Sequence, residues 1–291
     1  MLNSVVNEPP HAVVRPGSAR WPAALVDCAS APKSLYFAGD VGIISKACVA
    51  IVGTRHPTRY GERVASDIAS ALASAGACIV SGLAYGIDAC AHRAALAVDG
   101  ATAAVLGAGI DQVYPLGHRR LYDEIVDRGV VLSEFAPGTA TFKGCFPRRN
   151  RIIAGLAQLT IVIEAGAKSG ALITANYALD YDRKVAAVPG PIDSPQSAGT
   201  NLLLRDGAHV IASVDDALAL LDLDPGQSLR APVHLGDDEA TVWDVIAGSA
   251  SSTDDLVART GLAADRCLVA VTNLEIQGLV WCSPAGEIRR R

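Results

Sequence analysis

The chain has 291 residues, of which 50% are hydrophobic and 19% charged, a composition that excludes a disordered protein and allows one large α/β domain with a small appendage. Its formal net charge of −5 arises in one segment, because residues 213–255 carry ten acids against the single base Arg230 and leave the rest of the chain basic. No apolar run reaches about 18 residues without glycine or charge, and the seven cysteines form no Cys-x-x-Cys pair, so the sequence predicts no membrane span, disulfide framework or zinc site.

The predicted elements begin after a short N-terminal extension, residues 1–47, which lacks the basic start and apolar stretch of a signal peptide. From Val49 onward, short apolar runs alternate with segments of helical spacing such as "ERVASDIASALASAG". The runs predict strands at residues 49–53, 78–82, 103–107, 130–134, 160–165, 184–190 and 208–213. This alternation predicts an α/β fold with a doubly wound, Rossmann-like parallel sheet over residues 48–222. We expect the protein to be cytoplasmic.

The C-terminal part of the sequence predicts a second, smaller domain. Residues 223–235 have turn residues and no periodicity, which is typical of a linker. Residues 236–291 contain three helical segments and then two predicted short strands around Pro-Ala-Gly, the pattern of a winged helix. The third helical segment has one base, Arg266, beside Asp265 and Glu275, which disfavours a transcriptional regulator that reads duplex DNA.

Glycines, small hydroxyls and bases follow several predicted strands, as in "GTRHPTRYG", "SGLAYGIDACAH", "GAGIDQVYP" and "EAGAKSGALITAN". Ligands of doubly wound sheets bind beyond the carboxyl ends of the strands, where helix N-termini favour phosphate. No G-x-G-x-x-G motif with a downstream acid occurs, and no G-x-x-x-x-G-K-[ST] motif. We therefore expect phosphate binding without a dinucleotide or ATP cofactor.

The densest cluster of positive charge lies in "CFPRRNRIIAGLA", where Arg148, Arg149 and Arg151 open a predicted helix. Lys143 and Phe146 precede them, and a base next to an aromatic ring suits the phosphates and bases of single-stranded nucleic acid. Because no acid is close in sequence, we expect these arginines to be unpaired within the chain. The alternative is a solvated face with one arginine buried in an ion pair.

Two further sets of residues could carry chemistry but favour structural roles. Asp88 and His92 are spaced i, i+4, as an acid–base pair or half of a metal site would be, but no third ligand or nucleophile accompanies them. We expect His92 to be hydrogen-bonded structurally. Ser169 has no G-x-S-x-G elbow around it, so a phosphate-facing role is favoured over a nucleophilic one. The sequence thus predicts no catalytic residue and no metal site.

The motifs "AIVGTRHPTRYG", "VSGLAYGIDACAH", "SEFAPGTATFKGCFPRRNRIIAGLA" and "VIEAGAKSGALITANYALD" together resemble the DNA-processing protein A (DprA, also called Smf) family. The resemblance runs from about residue 20 to residue 212, and the tail resembles that family's winged-helix domain. It implies a protein without catalysis that binds and protects incoming single-stranded DNA and loads the recombinase RecA in natural transformation and homologous recombination. It also implies a homodimer through the Rossmann domain.

The resemblance further implies a set of DNA-binding residues. They are Thr54, Arg55, Lys143, Phe146, Arg148, Arg149, Asn150, Arg151, Lys168 and Ser169. Two departures from the family pattern stand out. Only about 20 residues precede the resembling region, so we expect no separate SAM-like domain, and Cys145 occupies a position where histidine is more usual.

The alternative function is a nucleotide-binding, phosphoribohydrolase-like enzyme, whose P-G-G-x-G-T-x-x-E loop supplies a catalytic glutamate. Here "VPGPIDSPQSAGTN" contains Pro-Gly and Gly-Thr, but neither Gly-Gly nor the following glutamate. That difference favours the DNA-binding hypothesis.

Overall fold

The computed structural model describes residues 11–223, 235–246, 251–276, 279–283 and 287–290. The chain divides into two compact units after residue 229, and each is described here by itself. The predicted linker spans this division, and its residues 224–234 lie outside the described residues.

The first unit is built on one large sheet with helices on both faces. Its elements in chain order are β1 (Ala12–Val14), β2 (Leu35–Gly39), β3 (Cys48–Val52), α1 (Arg59–Ser74), β4 (Cys78–Ser81), α2 (Ile87–Ala97), β5 (Thr102–Leu106), α3 (Arg119–Arg128), β6 (Val130–Ser133), α4 (Cys145–Leu156), β7 (Leu159–Val162), α5 (Gly170–Asp180), β8 (Lys184–Ala187), α6 (Ala198–Arg205), β9 (His209–Val210) and α7 (Val214–Ala219). The strand order is β1-β2-β6-β5-β4-β3-β7-β8-β9, and the strands from β6 to β9 in that order are parallel. The predicted doubly wound α/β fold is confirmed, with its seven strands at the seven apolar runs.

The central strands are mostly apolar because both of their faces are buried. Every residue of β3 is buried: Val49 and Ile51 pack in one core with α1 and α2, whereas Ala50 and Val52 pack in another with α4 and α5. Fully burying a side chain such as Ile51 contributes about 1.5–3 kcal/mol. The two cores therefore hold β3 at the centre of the sheet. The loop that follows β3 begins at the carboxyl end of this buried strand.

The order of the strands reverses beside β3. This strand pairs in parallel with β4 on one side and with β7 on the other. The chain passes from β3 to β4, β5 and β6 in one direction and then returns to β7, β8 and β9 in the other. The loops after β3 and β7 consequently diverge, and such a switch point is where open α/β sheets bind ligands.

The N-terminal extension is more ordered than the sequence indicates. β1 and β2 add two antiparallel strands at the edge of the sheet, where β2 pairs with β6. Leu25, Leu35 and Phe37 are buried in the core on the face that carries α4. The boundary expected at residue 47 therefore does not separate an irregular segment from the sheet. Single short strands bordered by turns give too little periodicity for sequence patterns to reveal them.

The second unit contains the predicted winged helix. Its elements are α8 (Asp237–Ile246), β10 (Ser251–Ser252), α9 (Thr253–Thr260), α10 (Ala264–Ile276), β11 (Val280–Cys282) and β12 (Glu287–Arg290). The three helices enclose Val242, Leu256 and Leu274, and the strand order is β10-β12-β11. The sequence did not predict β10, and the Pro-Ala-Gly turn of the hairpin lies outside the described residues. No helix among the described residues is long and apolar enough to cross a membrane.

Candidate nucleic-acid interface

A cleft of about 620 Å³ opens at the switch point of the sheet. Four segments line it: the loop after β3, the start of α2, the first turns of α4 and the loop that leads from β7 into α5. Among the predicted site residues, it brings together Thr54, Arg55, Phe146, Arg149, Asn150, Lys168 and Ser169. These residues span more than a hundred positions of sequence and meet because parallel strands end at one edge of the sheet.

Glu164 fixes both ends of the loop that carries Arg55. Its backbone carbonyl accepts a hydrogen bond of 2.7 Å from the Thr54 amide. Its buried carboxylate accepts bonds from the Thr58 amide, at 2.9 Å, and from the Thr58 hydroxyl, at 2.5 Å. Gly53 lets the loop pass so closely, since a Cβ atom there would lie 2.6 Å from a side-chain carbon of Ile87. The loop is therefore held at both ends, while the Arg55 side chain stays exposed.

Arg55 lies over an aromatic ring of the opposite wall. Its guanidinium carbon is 5.6 Å from the centroid of the Phe146 ring, within the range of a cation–π interaction. Phe146 belongs to the first turn of α4, which starts after Gly144 in a left-handed conformation with φ of 91°. Cys145 beside it is buried, so the position where histidine was expected belongs to the core. The pair places a cation and a ring at the mouth of one cleft.

The arginines of α4 are not unpaired, and that expectation is wrong. Glu134, at the end of β6, is 2.9 Å from the Nε atom of Arg148 and 2.6 Å from an Nη atom of Arg151. The side chains of Glu134 and Arg151 are only 5% and 11% exposed, whereas that of Arg148 is 54% exposed. Glu134 is distant in sequence, but the sheet brings the end of β6 alongside α4.

Arg149 is buried beneath the floor of the cleft. One of its Nη atoms donates hydrogen bonds to the Gly82 carbonyl, at 2.5 Å, and to the Val105 carbonyl. Gly82 leaves room for this position of the guanidinium, since a Cβ atom there would lie 2.4 Å from it and displace it. The alternative interpretation of the cluster, with one arginine buried in an ion pair, thus describes Arg151, whereas Arg149 is buried against backbone carbonyls.

The Asp88 carboxylate is the buried acid that faces the Arg149 charge. It accepts hydrogen bonds from the amides of Gly82, at 3.0 Å, and Ala84, at 3.3 Å. Burial raises the pKa of Asp88, and the positive charge of Arg149 opposes this increase; burial likewise lowers the pKa of Arg149. The two groups are therefore most stable as a pair, and removing either charge would leave the other buried without compensation.

His92 has the structural role that the sequence predicts. Its Nδ1 atom is 2.7 Å from the hydroxyl of Thr102, which itself donates to the Ile79 carbonyl. Burial, together with the nearby positive charge of Arg149, lowers the pKa of His92 to about 3, so the imidazole is neutral at physiological pH. The described residues contain no group of three or more histidine, cysteine or acidic side chains that could hold a metal ion.

The remaining predicted residues differ in their surroundings. Ser169 caps the N-terminus of α5 by accepting a bond of 3.3 Å from the Ala171 amide. The Asn150 amide donates to the Gly170 carbonyl at 3.2 Å and so connects α4 to that helix start. Lys168 is exposed beside them, and Lys143 is exposed in the segment before α4, outside the cleft lining. In the part of the chain that the structure describes, neither lysine forms an ion pair with an acid.

Two aromatic residues next to the cleft escaped the sequence analysis. Tyr114 follows β5, and its ring centroid is 5.2 Å from that of Phe146. Tyr85 follows β4 and lines the same edge of the cleft as Tyr114. Both lie in loops after strands, in "AYGID" and "DQVYP", and this position was the signal that could have revealed them.

Helix α10 of the winged helix carries little available positive charge. Arg266 is the only base of α10, and its guanidinium is paired with the carboxylate of Asp238 in α8, at 2.5 and 2.8 Å. An arginine side chain held in this ion pair is less available to a DNA phosphate or to the edge of a nucleobase. The arrangement agrees with the expectation that α10 is not a major-groove reader.

Comparison with known proteins identifies the family. The model of the family described as DNA recombination-mediator protein A matches residues 12–222, and the DprA winged helix domain model matches residues 226–286. The chain belongs to the DNA recombination-mediator protein A family. The resemblance to the DprA family is thereby confirmed. The winged helix of the second unit corresponds to the winged-helix domain of that family.

Individual members of this family agree over most of the chain. Protein Smf of Synechocystis is 38% identical over 317 aligned residues, which cover 95% of this chain and 79% of that protein. The crystal structure of DNA processing protein A from Streptococcus pneumoniae is similar with a TM-score of 0.70 and 38% identity, covering 73% of this chain and 74% of that one. A structure of DNA processing protein A from Helicobacter pylori, described for its single-stranded DNA binding mode, has a TM-score of 0.67 and 32% identity over 74% of this chain and 97% of that one.

Proposed function

We propose that this protein binds single-stranded DNA in the cleft at the switch point, and that it does so without catalysing a reaction. The observation that carries the proposal is the convergence of Arg55, Lys168 and Phe146 on one cleft. Two exposed cations can meet successive phosphates, and a ring beside them can contact a base. The family's Helicobacter pylori member, known for its single-stranded DNA binding mode, gives independent support.

The N-terminus of α5 adds a second feature that suits phosphate. Amides at a helix start carry partial positive charge, and here they lie between Lys168 and the side chain of Asn150. Among the described residues that line the cleft, Asp88 is the only acid, and it is buried near the Arg149 charge. The exposed charges of Arg55 and Lys168 would therefore attract a polyanion to the accessible wall of the cleft.

The wider role follows from membership of the family. We infer that the protein protects incoming single strands and loads RecA onto them in natural transformation and homologous recombination, as a cytoplasmic homodimer joined through the α/β unit. Relatives named DNA processing protein DprA in Bacillus subtilis and Streptococcus pneumoniae, 40% and 41% identical, support a role in DNA processing. The RecA step is tested by recombinase filament assembly on single strands with and without this protein, and the dimer by sedimentation equilibrium.

The alternative, a phosphoribohydrolase-like enzyme, meets a specific obstacle in the loop between β8 and α6. That motif would need a glutamate three residues after the threonine of Gly-Thr, whereas Leu203 occupies that position after Thr200 here. The Asn201 amide is engaged with the backbone of Gly190, accepting from its nitrogen at 3.2 Å and donating to its carbonyl at 2.9 Å. The loop is closed on itself by this contact, which favours a structural role over a hydrolytic one.

The direct test is fluorescence anisotropy of labelled oligo-dT, as a single strand and as a duplex with oligo-dA, over a series of salt concentrations. We expect preference for the single strand and a linear decrease of log affinity with log salt, with a slope of about −0.7 for each phosphate contact. Equal, weak binding of both DNA forms would contradict the proposal. A nucleotide hydrolysis assay on the same preparation would then test the alternative enzyme.

A further inference from the structure

A shallow recess adjoins the cleft on the side of β4 and β5. Arg55, Tyr85, Tyr114 and Phe146 line it, so it shares a cation and a ring with the cleft itself. Its volume is about 40 Å³, which is too small to enclose a nucleobase. A base that reaches this surface must therefore lie against the rings that border the recess.

The Phe146 ring is already in contact with protein groups. The guanidinium of Arg55 lies 5.6 Å from its centroid, and the ring of Tyr114 lies 5.2 Å from it. The side chains of Tyr114 and Tyr85, in contrast, are 47% and 50% exposed. The accessible aromatic surface at this edge of the cleft is therefore that of the two tyrosines.

Both rings are held in place before any ligand arrives. Tyr114 packs against Phe146, which α4 anchors. Tyr85 packs edge-on against His118 at 4.7 Å, and the buried His118 imidazole is fixed by its Nδ1 atom, 2.9 Å from the Leu83 carbonyl. A ring that is already ordered loses little conformational entropy when a base stacks on it.

We propose that Tyr114 and Tyr85 form a stacking subsite for nucleobases of a single strand whose phosphates are bound at Arg55. This inference rests on the proposed function and extends it to two residues outside the predicted set. Every base has a π-face, so a subsite that uses ring faces and no base edges accepts any sequence. The strand thus continues from the cleft past Arg55 onto the tyrosines.

The test uses the full chain and two labelled oligonucleotides of equal length, oligo-dT and a strand of abasic residues with the same backbone. For oligo-dT we expect Tyr114→Leu and Tyr85→Leu each to weaken binding about 5- to 150-fold, the range for loss of one base–aromatic stack. For the abasic strand we expect the wild type and both variants to bind alike. The salt slope should not change in either variant, because no phosphate contact is removed.

Two further variants separate stacking from other effects. Tyr114→Phe keeps the ring and should retain the affinity for oligo-dT. Tyr60→Leu removes an exposed tyrosine at the start of α1, outside the recess, and should leave binding unchanged. Thermal unfolding of each variant confirms that the fold is intact.

The possible results distinguish this inference from the proposed function. If the wild type binds neither oligonucleotide, the proposed function fails and the inference fails with it. If the wild type binds oligo-dT and the abasic strand equally well, and the tyrosine variants match it, DNA binding stands and the stacking subsite is overturned. Loss of affinity for the abasic strand in Tyr114→Leu would also overturn it, because that strand has nothing to stack.

Discussion

The arginine run of α4 and the exposed cations of the surrounding loops lie at the same edge of the sheet, but their charges have different partners. Arg148 and Arg151 share Glu134, and Arg149 donates to backbone carbonyls beneath the cleft. Arg55 and Lys168 project from loops, and neither forms an ion pair within the described residues. The more conspicuous cluster in the sequence thus contributes mainly to structure, and the isolated bases contribute the accessible charge.

This difference shows that charge density along a chain does not measure available charge. A guanidinium on a helix that packs against a sheet is near the ends of several strands, and any acid at those ends can neutralise it. A base on a glycine-rich loop projects beyond the strand ends, where solvent or a ligand is its partner. Four substitutions test this contrast, in order of decreasing expected effect.

The largest effect is expected for Arg149→Met. This change leaves Asp88 buried without its cation and two carbonyls without their donor, so we expect the free energy of unfolding to fall by about 3–5 kcal/mol. Urea denaturation measures it, with Arg120→Met as the control, because the Arg120 side chain is 94% exposed. If the variant is as stable as the wild type but no longer binds DNA, Arg149 contacts the DNA and does not have the structural role described above.

A large effect on binding is expected for Arg55→Glu. Reversing this exposed charge removes a phosphate contact and repels the strand, so we expect about a 10- to 100-fold loss of affinity for oligo-dT and a salt slope shallower by about 0.7. Stability should change by less than about 0.5 kcal/mol. Anisotropy titrations with Arg120→Glu as the matched charge reversal provide the measurement. Unchanged affinity in Arg55→Glu would remove this loop from the interface.

A smaller effect of opposite sign is expected for Glu134→Gln. Neutralising this carboxylate releases the half-exposed Arg148 from its ion pair, and we expect affinity for oligo-dT to rise about 2- to 5-fold at low salt. The gain should vanish as the salt concentration rises. Weaker binding by this variant would mean that Glu134 orients Arg148 for the strand and does not compete with it.

The smallest effect is expected for Lys143→Ala. Lys143 is exposed but outside the cleft lining, so its contribution is a long-range attraction that salt screens. We expect a loss of about 2- to 3-fold at low salt, compared with Lys33→Ala, an exposed lysine near the N-terminal edge strand. A loss as large as that of Arg55→Glu would place Lys143 on the path of the strand.

Much of the fold followed from local patterns. The apolar runs that became β3 to β7 are buried on both faces, as is most of β8, and that burial leaves a continuous signal in the sequence. The three helices and the hairpin of the second unit were equally evident from their spacing. β1 and β10 were missed because two or three residues at a sheet edge carry no period. The five-residue β2 was missed because no α-helix follows it to mark it as part of the strand–helix alternation.

The site was predictable in membership and less so in detail. The glycine-rich loops predicted the edge of the sheet at which Arg55 and Ser169 meet, and the family resemblance added Lys168, which lines the same cleft. That these residues bind phosphate stays a prediction. The pairing of Arg148 with Glu134 and the position of Tyr114 beside Phe146 depend on which strands are neighbours. Sequence separation gives no information on such contacts.

The sequence by itself determined the fold class, the two units and the edge of the sheet at which the basic, glycine-rich loops meet, because burial and turn chemistry act over a few residues. Only the tertiary structure decided which cations are accessible. That outcome depends on the acids and carbonyls that β4, β5 and β6 bring to α4, and these contacts arise when the strands assemble side by side. Which acid or carbonyl pairs with a given cation depends on their distance in space, and that distance is fixed only when the chain folds.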